Sequence, residues 1–291
     1  MVIAASGRDQ NGDRSKQHER PSHVATVLAV GGTVVEVRRP PPIHDVLERI
    51  HADPAHAGIL TDFDGTLSAI VDEPDAARPL DGVPQLLESL AGRYAVVAVL
   101  SGRPVSFLQR WLPSSLLLSG LYGLEVVHNG VRDDHPSGGM WREVVDDVAT
   151  QARAAGPAAM RVESKGLSLT LHYRGHPEIE PAVRALAERQ ASRSGLKVRP
   201  ARMSFELHPP IEADKGTAVR AVADDLSAIC FLGDDVGDLP AFVELERLAG
   251  EGVATARIAV RSDEAPDVLL DAADVVVDGP EGARDLLQTL L

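Results

Sequence analysis

From Ala57 onward the chain alternates between short, nearly unbroken apolar runs and segments whose apolar residues recur every three or four positions. The runs Gly58–Thr61, Tyr94–Leu100, Ser115–Ser119, Ala228–Leu232, Arg257–Val260 and Asp274–Val277 read as strands, most of them buried on both faces. Between them, Val83–Ala91, Val105–Leu112, Gly216–Leu226, Leu239–Ala249 and Pro280–Leu291 read as helices. Strand followed by helix, repeated, predicts an α/β fold with a Rossmann-like parallel sheet covered on both faces.

One segment breaks this rhythm. Helix Glu143–Ala155 leads to strands Arg161–Ser164 and Leu167–Arg174, joined by a tight Lys165-Gly166 turn. Helix Pro177–Ser194 and strands Leu196–Arg199 and Ser204–Leu207 follow. The α-β-β-α-β-β order predicts an antiparallel sheet with helices on one face, inserted into the α/β body. Upstream, residues 1–22 are polar and aperiodic and predict a disordered tail. Val24–Val37 carries two β-branched runs around Gly31-Gly32, a hairpin signal, and Ile43–Ile50 an amphipathic helix. The boundaries drawn are 1–22 for the tail, 23–56 for an N-terminal extension, 57–130 with 211–291 for the body, and 131–210 for the insertion.

A formal net charge of −14 argues against nucleic acid or an anionic membrane surface as the main partner. Cys230 stands alone, so there is no internal disulfide; set within an apolar run, it reads as a core residue. No apolar stretch reaches the ~18 residues of a membrane span. Met1–Ser6 lacks the basic and apolar regions of a secretion signal, so a cytoplasmic location is expected.

Polar residues collect where the strands run out, which is where an open parallel sheet binds ligands. The first strand delivers Asp62-Phe63-Asp64-Gly65-Thr66. In an extended chain residues i and i+2 project to the same side, so Asp62 and Asp64 face one site. Two like charges that close call for a cation or a shared proton, and a hard divalent ion bound through oxygen answers that need. The next strand ends in Ser101-Gly102-Arg103, another in Gly233-Asp234-Asp235-Val236-Gly237-Asp238, and Asp214-Lys215-Gly216 opens a helix. Each alone has an ordinary explanation as a turn, a cap or a solvated charge. Their shared strand-end context and order favour chemistry.

In that order the four motifs resemble those of the haloacid-dehalogenase-like phosphatases: a DxDGT stretch, a strand-end Ser/Thr, a lysine, and GDD with a further acid. The long gap from Ser101 to Lys215 implies a cap inserted after the second motif, the C2 position. A phosphate ester is anionic and repels a carboxylate nucleophile, so charge neutralisation and positioning dominate its hydrolysis. On this reading Asp62 forms an aspartyl-phosphate, and Asp64 protonates the departing oxygen and then deprotonates water. Ser101 holds a phosphoryl oxygen and Lys215 offsets its charge. Mg²⁺ is held by Asp62, the Asp64 carbonyl and Asp234, with Asp235 and Asp238 orienting these groups from behind.

Within the superfamily, three stretches look like those of trehalose-6-phosphate phosphatases: Gly120–Glu125, Glu163–Arg174, and Glu206 leading to Asp214-Lys215-Gly216. The resemblance implies that Glu125, Glu163, Lys165 and Glu206 contact sugar hydroxyls, and that Thr66, Gly102, Arg103 and Gly123 complete the substrate site. His172 and Arg174 fit the family pattern in contact or in support. It departs from that pattern at Gly237, Leu239 and Pro240, which replace a Thr and an acidic pair, and at His208, which stands for an arginine. The small-molecule substrate implied is trehalose 6-phosphate, with functional coupling to its synthase. Another sugar phosphate, of the sucrose- or glucosylglycerol-phosphate type, and a non-catalytic sensor are the alternatives. Cap hinges are expected near Val126–Val131 and Pro209–Asp214.

Overall fold

The structure, a computed structural model, describes residues 26–30, 33–37 and 43–291 except 72, 202 and 264. It divides at Pro41/Pro42 into two units. In the first, β1 (Thr26–Val30) pairs antiparallel with β2 (Thr33–Val37), Thr26 opposite Val37, as the β-branched runs predict. The tail and the Gly31-Gly32 turn lie outside the described residues.

The second unit starts with α1 (Ile43–Ala52), β3 (Ala57–Thr61), α2 (Val83–Ala91), β4 (Val96–Leu100), α3 (Val105–Leu108) and β5 (Leu117–Gly120). Then come β6 (Glu125–His128), β7 (Val131–Arg132), α4 (Gly138–Ala155), β8 (Arg161–Ser164), β9 (Leu169–His172) and α5 (Glu180–Ser194). It continues with β10 (Lys197–Ala201), β11 (Ser204–His208), α6 (Lys215–Val222), β12 (Ala228–Gly233) and α7 (Leu239–Gly250). It closes with β13 (Ala254–Arg261), α8 (Asp267–Ala272), β14 (Val275–Asp278) and α9 (Gly279–Gln288).

Eight strands form one sheet in the order β14-β13-β12-β3-β4-β5-β6-β7. From β14 to β5 the pairing is parallel, whereas β6 and β7 add an antiparallel edge. Alternate residues of the parallel strands point to opposite faces, and both faces are buried. Ile59, Val97, Val99, Cys230 and Leu232 pack with Leu87, Leu90 and Leu287 of α2 and α9. Leu60, Ala98, Leu100, Ile229 and Phe231 pack with Val219, Phe242 and Leu245 of α6 and α7. Each buried Val, Leu, Ile or Phe among them contributes roughly 1.5–3 kcal/mol by leaving water. Val46 and Ile50 of α1 sit in the first of these clusters.

A separate four-stranded antiparallel sheet, β10-β11-β9-β8, carries α4 and α5 on one face. Leu169, Leu171, Phe205 and Leu207 meet Val145, Val148, Val183 and Leu186 there. The residues between them face the other way. Register sets Glu163, Thr170, Glu206 and Arg199 side by side across all four strands, making a polar row on that second face.

Candidate active site

Strands β12, β3 and β4 are neighbours, so their carboxyl ends share one rim. After β3, Gly65 takes a φ of +74°, and a Cβ there would fall inside the Asp234 carboxylate. Only glycine permits both the turn and the approach. The Gly65 N–H donates to Ser68 O at 2.8 Å, which closes the loop. Thr66 is buried, with its hydroxyl 3.4 Å from Asp234 Oδ1.

Lys215, at the first position of α6, is buried between two carboxylates. Its Nζ lies 2.8 Å from Asp62 Oδ1 and 2.5 Å from Asp238 Oδ1. Burial alone would lower its pKa; the charges of Asp238 and Asp62 overcome that and raise it, so the ammonium persists. Asp238 accepts the Asp234 and Asp235 main-chain N–H groups on its other oxygen, both at 3.0 Å. Those bonds tie Asp238 to both Lys215 and the turn at residues 233–235. Asp235 is exposed and caps the turn, accepting from Val236 N–H.

Asp62, Asp234 and Asp238 each offer an oxygen within 4.8 Å of the others, all buried. Three carboxylates thus face one lysine. Burial pushes Asp62 up against the opposing pull of Lys215, and burial with the Asp62 charge pushes Asp234 up. A hard divalent cation among these oxygens would reverse both shifts, so the donor set fits Mg²⁺ chemically.

Asp64 turns elsewhere. Its carboxylate is gripped bidentately by Arg103, Nε to Oδ2 at 2.7 Å and a second guanidinium nitrogen to Oδ1 at 2.8 Å. Arg103 is mostly buried, and its guanidinium also lies over Phe107, 4.5 Å from the ring centre. Its main-chain N–H donates to Ser101 Oγ at 3.1 Å, leaving the buried Ser101 fixed at the end of β4. Gly102 lies against Tyr122.

The polar face of the smaller sheet carries Glu163 and Glu206, and Lys165 follows β8 in the hairpin turn. Glu163 bonds His172 Nε2 at 2.8 Å. Burial raises its pKa, but the His172 bond and the Lys165 charge prevail and hold it down at about 2. Glu206 is buried and accepts from Ser168 Oγ at 2.8 Å. Glu125 is engaged by protein donors on both oxygens: Val105 N–H at 2.9 Å, capping α3, and Arg132 at 3.1 Å. Arg142 of α4 also lies 3.6 Å from it, so Glu125 stands between the larger sheet and the helix of the smaller one. Gly123, at φ +103°, completes the Leu121–Gly123 turn. Half-buried His208 bonds the Pro209 carbonyl at 2.8 Å, and burial lowers its pKa. Gly237 borders open space.

A sequence profile of trehalose-phosphatases matches residues 60–269, a span that starts at the end of β3 and takes in all four strand-end motifs. The chain belongs to the trehalose-phosphatase family. A trehalose-phosphate phosphatase of Mycobacterium leprae (strain TN) is 33% identical over 264 residues, covering 81% of this chain and 60% of that protein. One from Mycobacterium marinum (strain ATCC BAA-535 / M) is 35% identical, covering 72% of this chain and 55% of its own length. The chain therefore spans little more than half of these curated relatives. The C-terminal domain of Candida albicans trehalose-6-phosphate phosphatase shares the fold, with a TM-score of 0.68 at 22% identity, covering 86% and 98% of the two chains. A trehalose-6-phosphate phosphatase related protein is similar at the same TM-score and 23% identity, covering 80% and 96%.

Three residues of this candidate site go beyond the sequence reading. Arg199 and Thr170 enter through cross-strand register with Glu206, which pairing but not spacing reveals. Tyr122 enters through an unusual backbone conformation, for which the flanking Gly120 and Gly123 are the only local hint.

Proposed function

We propose that the chain is a Mg²⁺-dependent phosphatase that releases phosphate from trehalose 6-phosphate through a phosphorylated Asp62. The observation that carries the reading is the buried constellation of Asp62, Lys215, Asp238 and Asp234 at adjoining strand ends, within a trehalose-phosphatase family match. Asp62 attacks phosphorus, and Lys215, fixed by Asp238, steadies the growing negative charge. Ser101 and the Thr66 loop hold the phosphoryl oxygens. Asp64, once released from Arg103, protonates the departing sugar oxygen and then takes a proton from the attacking water. Mg²⁺, held by Asp62, Asp234 and the Asp64 carbonyl, would supply charge neutralisation for the phosphate dianion.

Glu163, Lys165 and Glu206 read the sugar hydroxyls, since paired carboxylates and an ammonium match a hydroxyl-rich ligand. Release of phosphate from a panel of sugar phosphates, with and without Mg²⁺, tests the proposal. Preference for trehalose 6-phosphate over glucose 6-phosphate, abolished by a chelator, is expected. Equal rates on both would favour another sugar phosphate, and no release from any would reject the activity.

A further inference from the structure

Leu121 and Tyr122 are consecutive non-glycine residues at positive φ, 50° and 60°. Side chains disfavour this conformation, and it persists only where the surroundings fix it. Here the Leu121 N–H donates to Arg103 O at 3.0 Å and the Tyr122 N–H to Ser101 O at 3.1 Å. Both acceptors belong to the strand-end motif after β4. The ring of Tyr122 then covers Gly102 so closely that a Cβ there would stand 2.7 Å from the Tyr122 hydroxyl. Arg199, on β10, sets its guanidinium over the same ring, 4.6 Å from its centre. Arg199 also lies 4.0 Å from Glu206, its neighbour in the polar row. The phenol pKa is raised first by the Glu206 charge and then by burial, which agrees with a hydroxyl close to the smaller sheet.

We propose that Tyr122 and Arg199 form the positioning contact between the cap sheet and the phosphoryl site. With Tyr122 seated on Gly102, Arg199 on the ring sets where the polar row of the smaller sheet stands relative to the phosphoryl site. The inference rests on the sugar-phosphate phosphatase reading and deepens it. A substrate that spans both sheets draws on this contact. A small aryl phosphate, held at the strand ends alone, draws on it little.

The test uses the full chain with Mg²⁺, comparing Tyr122→Ala, Tyr122→Phe, Arg199→Ala and Arg199→Lys on trehalose 6-phosphate and on p-nitrophenyl phosphate. Thermal melts run alongside. The two alanine variants are expected to lose about tenfold or more in kcat/KM on the disaccharide relative to the aryl ester. Phe at 122 and Lys at 199, which keep ring and cation, should recover most of that ratio. Folded alanine variants with the wild-type ratio would overturn the inference, as would parallel losses on both substrates that track a fall in Tm. A wild-type chain inactive on every sugar phosphate would instead remove the functional reading underneath, and this inference with it.

Discussion

Gly65 shows how one residue type can be fixed by two demands. Its positive φ and the Asp234 carboxylate against its α-carbon both exclude a side chain. Gly65→Ala is expected to destabilise the fold by about 1–3 kcal/mol and, by displacing Asp234, to cut turnover by roughly 10²-fold. Denaturant unfolding and phosphate release would measure the two effects separately. Glu163 supplies a pH-dependent counterpart. Its carboxyl is held at about 2 in the fold against an ordinary value of 4.5. A depressed carboxylate contributes stability that is full above the unfolded pKa and is lost as pH falls through the folded one. Glu163→Gln should therefore be less stable than the wild type near neutrality, with the gap closing between pH 4.5 and 2. A gap that stays constant across that range would contradict the assignment.

At the scale of elements, the buried strands were legible because two covered faces leave no polar position to interrupt the run. Ala228–Gly233 is buried throughout. The edge hairpin β6–β7 was not legible, because its strands are short and partly exposed. Yet Asn129-Gly130 between them is a two-residue turn signal, and both residues sit at positive φ, 50° and 77°. The segment Val126–Val131, where the sequence predicts a hinge, lies in the main sheet with Gly130, and the chain leaves that sheet only after Arg132. Helix α3 is shorter than the Val105–Leu112 predicted, since after Leu108 the chain mixes bonds to the third and fourth preceding residues, Arg110 N–H to Phe107 O beside Leu112 N–H to Leu108 O. In the smaller sheet Phe205 is fully buried against Tyr173 and the two helices. Phe205→Ala should cost about 3–5 kcal/mol of unfolding free energy, read from denaturant titration.

Over the whole molecule, the candidate site was legible because its polar residues recur at strand ends, where periodicity breaks in a recognisable way. The partners of each group were not. Arg103 holding Asp64 joins residues from two strands, and the Glu163-to-Arg199 row joins four, so neither has a signature along the chain. Among the described residues no helix is long and apolar enough to cross a membrane. Four buried charged groups meet at one rim, where Lys215 binds two carboxylates and a third stands beside them. Burying such an arrangement is costly, and clusters kept at that cost are candidates for chemistry. Rapid quenching of turnover on phosphorus-labelled trehalose 6-phosphate, followed by peptide mapping, examines that chemistry at its source. Acid-stable, base-labile label on Asp62, absent from an Asp62→Asn variant whose turnover falls roughly 10³-fold or more, is the predicted result. Wild-type turnover by that variant, with no labelled carboxylate in the native chain, would contradict it.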